Sequence, residues 1–338
     1  MRHLIRVVAA AALGAAVFVP GARAQDMTSY TFGGTTIWVG GGFQFLSLPD
    51  IRFTLQNGRR QKNSESDWLD FGGAAGGGIE TALGFWGGYR VTGSVKGFWA
   101  NVETDHRKRC GGACLVIDPS GAVAVASATL NTKTDREAVY WGGQVELKFG
   151  RPEPVHVRPN LYRNDYFIVG ADVRGIDQDN TLRSTVGTVF RYNETLDTTY
   201  AGGYIGLGGE YSLAFLTGGG LYERLGLRTF IAARAGLYNA DTDYDGRFTG
   251  PAATRVSSSE DDLAFIGTIS LETRKQIGMR TSLSLWTDYE YISSIPKLHY
   301  ADLGGTTRID DEGAFATRTM LRLNIGLGSA QLYEEPLK

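Results

Sequence analysis

The chain has 338 residues, 46 of them Gly and only 9 Pro, with 42% hydrophobic, 11% aromatic and 21% charged residues and a formal net charge of −2. That many aromatics exclude a disordered chain, and the lack of a Gly-X-Y period excludes collagen. Beyond its first residues the sequence never approaches the ~18 uninterrupted apolar residues of a spanning helix, so a helical membrane protein is excluded too.

Residues 1–24 read as a secretory signal peptide. Arg2 and Arg6 form the basic start, Val7–Val19 the apolar stretch, and Ala22-Arg23-Ala24 the cleavage site after Pro20-Gly21. Removing them leaves 31 Lys and Arg against 36 Asp and Glu in residues 25–338, so no basic excess invites nucleic acid.

From there the dominant signal is alternation with a period of two, apolar outward and polar inward. Ile37, Val39, Gly41, Phe43 and Phe45 form the first apolar face. Ile79, Thr81, Leu83 and Phe85 follow, opposite Glu80, then Val91, Val95 and Trp99, opposite Arg90 and Lys96. The clearest run is Val139–Phe149, with Glu146 and Lys148 on its polar face. Next come Phe167–Val173 opposite Asp172 and Arg174, Ala201–Leu213 opposite Glu210, and Leu227–Leu237 opposite Arg228 and Arg234. Leu263–Leu271 opposes Glu272, Leu283–Tyr291 opposes Asp288 and Glu290, and Leu321–Leu327 opposes Arg318 and Arg322. These are ten segments, near the ~9–11 residues that carry a tilted strand across a bilayer. Residues 122–130 and 184–192 alternate weakly. They read as extensions above the membrane, twelve strands being the alternative.

Apart from Pro20 of the signal peptide, proline falls only between or after these segments, as a donor-lacking residue must. Long connections at about 49–72, 103–137, 175–198, 239–262 and 293–313 alternate with shorter ones. Cys110 and Cys114 read as one small loop disulfide, since an exported chain folds where disulfides persist.

The signal peptide, the ten alternating segments and the aromatics Trp38, Trp86, Trp99, Trp141 and Tyr291 near strand ends give a chain that resembles the small outer-membrane β-barrels of Gram-negative bacteria, most nearly the omptin size class. The resemblance implies an all-β, transmembrane, antiparallel up-and-down barrel over residues 25–338. It also implies residence in the outer membrane among lipid and lipopolysaccharide, and insertion by the barrel assembly machinery. Tyr333 stands where such barrels carry a closing aromatic.

The inward charges number seven acids and eight bases, and at ten strands long side chains fill much of the bore. The expected role is therefore structural or surface-interacting, with a lumen filled by paired charges. A small porin-like channel is the second reading and an omptin-like hydrolase the third. No enzyme activity is expected. His106, His156 and His299 lie in connections, and although Asp302, Asp310 and Asp311 follow His299, no protease or lipase motif surrounds them. No cofactor is expected beyond one candidate: Asp241, Asp243 and Asp245, followed by Gly246, match the opening of a calcium loop, though its closing Glu is missing. The simpler reading is a solvated acidic loop. Segments 175–198, 239–262 and 293–313 hold fourteen acids and six bases, a rim suited to the divalent cations that bridge lipopolysaccharide phosphates.

Overall fold

The computed structural model describes residues 34–63, 70–158, 161–218, 225–251, 253–300, 304–305 and 307–327. The signal peptide, Asp302 and Tyr333 lie outside them. The strands are β1 (Thr35–Leu46), β2 (Thr54–Gln56), β3 (Arg59–Gln61), β4 (Asp70–Trp86), β5 (Tyr89–Ile117), β6 (Val123–Gly150), β7 (Val155–Arg158), β8 (Leu161–Val186), β9 (Arg191–Ser212), β10 (Leu227–Thr249), β11 (Thr254–Gly278), β12 (Thr281–His299) and β13 (Arg308–Leu327). Among the described residues one short helix, α1 (Leu213–Thr217), follows β9 and is N-capped by Ser212, whose Oγ accepts from Phe215 N.

Ten of these strands form a closed ring. Strands β1, β4, β5, β6 and β8 to β13 pair antiparallel in that order, and β13 returns to pair with β1. Ile37 of β1 sits opposite Ile325 on one side and Ile79 on the other. Closure removes the two edges that an open sheet would expose. It also turns the alternation into an inside and an outside. Outward Val39, Val145 and Leu207 are 58%, 56% and 68% exposed, while Glu146, next to Val145, is 0% exposed. An apolar belt of this extent around a polar interior is stable with lipid, not water, as its solvent. The protein is thus a ten-stranded transmembrane barrel.

The segments read as long loops are mostly strand. Strands β5, β6 and β8 run for 29, 28 and 26 residues, far beyond a bilayer crossing, so the wall continues past the apolar belt. Residues 122–130 and 184–192 belong largely to these extensions, which leaves the ring at ten strands. Alternation persists there, but polar residues occupy the outward face, and this makes the sequence look like loop. Two smaller corrections apply at the other end. Leu213 lies in α1 rather than on a strand face. Trp38, on the even phase of β1, points into the lumen and contributes nothing to an outer aromatic girdle.

We call the end where β1 starts and β13 finishes proximal, and the opposite end distal. Strand β1 stops at Leu46, and the next segment completes the distal wall by pairing β2 onto the edge of β5 (Thr54 opposite Val116) that β4 leaves free. Asn63 fixes that segment, its Oδ1 accepting from the backbone N of Phe53 at 2.8 Å and Thr54 at 2.9 Å.

Candidate functional site

The lumen is stratified. In the distal extension Phe53 is 0% exposed, stacks on Tyr192 at 4.5 Å and meets Phe190, Phe248 and Tyr300 at 5.3–6.5 Å between ring centres. Cys110 and Cys114 are bonded, as expected, and both are buried in this aromatic core. Their loop also holds the β2–β3 turn, since Gln56 Nε2 donates to Gly111 O at 2.6 Å and Asn57 N to Ala113 O at 2.9 Å. One acid lies within the core. Glu194 accepts from Tyr300 Oη at 2.9 Å and Asn180 Nδ2 at 3.0 Å, and burial pushes its carboxyl up to about 7 despite those donors. Arg136, nearby, donates from Nη2 to Gln178 Oε1 at 3.0 Å.

Below this core an apolar and tyrosine collar that includes Tyr200, Ile176, Ile266 and Ile292 narrows the bore. Then comes a polar layer. Arg174 of β8 donates to Asp172 at 2.6 Å, and also bonds Glu290 of β12, which Tyr140 reaches from β6. The Arg174 and Glu290 side chains are 6% and 4% exposed. Further toward the proximal end, Arg318 pairs with Asp288 at 3.1 Å and lies over Phe98, while Glu146 accepts from Arg234 Nε at 2.8 Å and stands 3.8 Å from both Lys96 and Lys148. Arg228 pairs with Glu210 at 3.3 Å, and Arg90 is half-buried at the proximal end of β5.

All the inward charges read from the sequence thus fall on the lumen side of the wall, and most are paired. Charge dominates only its proximal half, however; the distal half is filled mainly by aromatic and aliphatic side chains. The sequence reading also leaves out lumen groups. Arg274, absent from that set, is on β11, pairs with Glu272 at 2.9 Å and lies over Phe230. Arg136, Glu194 and Asp70 are buried inside although they fall in segments read as loops. Their even-numbered phase continues that of Tyr140 and Tyr204, a signal available in principle to anyone extending the alternation upward.

The proximal lumen contains a cavity of about 80 Å³. Trp38, Trp286, Tyr166 and Phe230 line it together with Glu80, Lys96, Lys148, Arg234, Glu272, Arg274 and Arg322.

The candidate calcium loop is not a loop. Asp241, Asp243 and Asp245 occupy alternate positions on β10 and face outward. At ~3.3 Å rise per residue, carboxylates two apart on a strand diverge instead of converging on one ion. Asp245 is already engaged by Arg255, at 3.0 and 2.8 Å. Among the described residues no group of three His, Cys, Asp or Glu is arranged to hold a metal. Asp241 and Asp243 belong instead to a band of outward carboxylates just beyond the apolar belt. Glu103 sits opposite Glu137, Glu137 opposite Asp179, Asp177 opposite Asp197, Asp197 opposite Asp243, and Asp241 opposite Asp261. Trp141 marks the boundary: its indole lies against Gly175, where a Cβ would come within 2.3 Å of the ring, and its Nε1 donates to Asp177 at 3.1 Å. Partial burial and the neighbouring carboxylates raise the pKa of Asp197.

Of the histidines, His156 packs beside Tyr162 on β7, His106 lies on β5 and His299 is exposed at the end of β12. A different acid pair forms at the distal rim: Ser294 Oγ donates to Asp311 at 2.6 Å and stands 3.5 Å from Asp262. Burial and Asp262 raise the pKa of Asp311.

No protein-family model matches the chain, and no curated protein matches it. Among solved structures, the outer membrane protease OmpT of Escherichia coli is 10% identical, with 89% of this chain and 99% of that chain covered and a TM-score of 0.42. A FadL homologue of Pseudomonas aeruginosa is 6% identical, over 87% and 90% of the two chains, at a TM-score of 0.27. An anion-selective porin from Comamonas acidovorans is 9% identical, over 86% and 98%, at 0.22. At these scores the likenesses carry no functional argument, and the barrel stands on its own closed ring of strands.

Proposed function

We propose that this is an exported, non-enzymatic outer-membrane barrel of a Gram-negative bacterium, closed to solute passage, with a structural and surface-interaction role. The observation that carries this reading is the double closure of the lumen: the Phe53 aromatic core lies above the Arg174–Glu290 layer, and all three side chains are 6% exposed or less. A bore of ten strands is narrow enough for long side chains to fill. Lipid surrounds the belt, and the assembly machinery of the outer membrane inserts it. No cofactor is assigned.

The surface role rests on the carboxylate band. Like charges directly opposite one another on a sheet repel, so the band favours divalent cations, which in turn bridge lipopolysaccharide phosphates. Liposome swelling tests the closed reading. Vesicles containing the refolded protein should swell in small sugars no faster than empty ones, and rapid swelling would favour the channel reading instead.

A further inference from the structure

The proximal cavity is electrically unbalanced. Lys96, Lys148, Arg234, Arg274 and Arg322 line it, against Glu80 and Glu272. The carboxylates around it do not restore neutrality. Glu146 is shared among Lys96, Lys148 and Arg234, at 3.8, 3.8 and 2.8 Å. Glu272 is shared between Arg274 at 2.9 Å and Arg322 at 3.8 Å, and Asp288 is taken by Arg318. Behind this wall lies lipid, where unmatched charge is costly.

One of these cations is held rigidly. The Arg322 guanidinium carbon lies 3.9 Å from the Trp38 ring centre and 3.6 Å from that of Trp286, so the fork is clamped flat between two indoles. Trp38 takes this position because Gly78 leaves the space free: a Cβ there would come within 2.7 Å of the indole nitrogen. Arg322 is 5% exposed and its Nε has no hydrogen-bond partner; Ser94, also on the cavity wall, is 8% exposed and its Oγ has none either. A clamped guanidinium with an unpartnered Nε, set among two ammonium and two further guanidinium groups, suits the planar oxygens of a carboxylate or phosphate. The volume agrees. At ~10–15 Å³ per water-sized centre, a cavity of about 80 Å³ holds a group of few heavy atoms.

The geometry points to a binding site for a small oxyanion, a phosphate or a short carboxylate, in the proximal lumen, with the Arg322 fork as its centre and Lys96, Lys148 and Arg234 supplying the surrounding charge. The site goes beyond the closed-barrel reading and would survive its failure, because an open lumen could hold the same receptor.

Calorimetric titration of the refolded full-length protein in detergent tests it, with sodium phosphate in one arm and sodium acetate in the other, at an ionic strength held constant with sodium chloride. Saturable one-to-one binding is expected in at least one arm, and the arm that responds identifies the anion. Arg322→Lys keeps the charge and loses the fork, and Lys96→Gln removes one ammonium. Each should weaken binding tenfold or more, while exterior Asp243→Asn leaves it unchanged. If Arg322→Lys does not refold, Lys96→Gln decides alone. No saturable binding in either arm, or unaltered affinity in the refolded lumen variants, would overturn the site.

Discussion

Arg174 and Glu290 form an ion pair across the bore, joining β8 to β12, four strands away around the ring. Tyr140 and Asp172 satisfy the remaining edges of the pair. Removing one partner strands a buried charge, which typically costs ~3–5 kcal/mol, whereas replacing both with apolar side chains of similar size costs much less. Arg174→Met should therefore destabilise the barrel by ~3–5 kcal/mol, and Arg174→Met combined with Glu290→Met should recover part of that loss, since Asp172 alone then lacks its arginine. A urea-unfolding double-mutant cycle checks this, and additive losses would show that the two charges do not act as a pair.

The two faces of one strand predict opposite tolerance. Val145 is 56% exposed to lipid, while neighbouring Gln144 faces the lumen and donates to Tyr204 Oη at 2.9 Å. Val145→Arg should lose ~2–4 kcal/mol, as a charge at the bilayer midplane does. Gln144→Arg should be mild. Equal losses in a refolding titration would reject the assignment of faces.

The distal core should respond to pH through Glu194. Its folded pKa, about 7, lies above the ordinary value of 4.5. The folded state therefore holds the proton more tightly than the unfolded one. The stability this provides is complete below pH 4.5 and is lost as pH rises through 7, a change on the order of 3 kcal/mol. Glu194→Gln should flatten that slope. Hydrogen exchange of the β8–β9 extension between pH 5 and 8 measures it, and an equal slope in the variant would assign the effect elsewhere.

The bond between Cys110 and Cys114, four residues apart, closes a small loop against the β2–β3 turn. Chain-entropy arguments give ~2 kcal/mol for so short a loop. Replacing both cysteines with serine should loosen the distal core by about that amount, read as faster proteolysis near Asn57 and Gly58, while the membrane belt stays folded. Global unfolding of the serine variant would contradict this partition.

The sequence and the structure agree wherever the wall has lipid on one side and polar groups on the other. Val145 beside Glu146, and Ile205 beside Tyr204, alternate cleanly because each face has a different solvent. Above the belt both faces of the wall change character. Outward positions become polar, as at Asp179 and Asp243, while inward ones become aromatic, as at Tyr192 and Phe248. The period of two survives but its sign reverses, so an apolar-out template sees only loops. The same reversal hid Glu194 and Arg136, and it made three strand carboxylates look like a calcium loop. Trp38 was obscured for another reason. An aromatic near a strand end suits a lipid interface, and only its phase, one residue from Ile37, assigns it to the lumen beside Arg322.

Single-channel recording of the refolded protein in planar bilayers tests the closed lumen most directly. On the proposed closure, an ion would have to pass both the Phe53 core and the Arg174–Glu290 layer. The wild-type barrel should show a silent baseline with rare, brief openings, and Arg174→Ala with Phe53→Ala should make openings longer and more frequent. A steady, large conductance in the wild type, unchanged by those substitutions, would contradict closure and establish the protein as a channel.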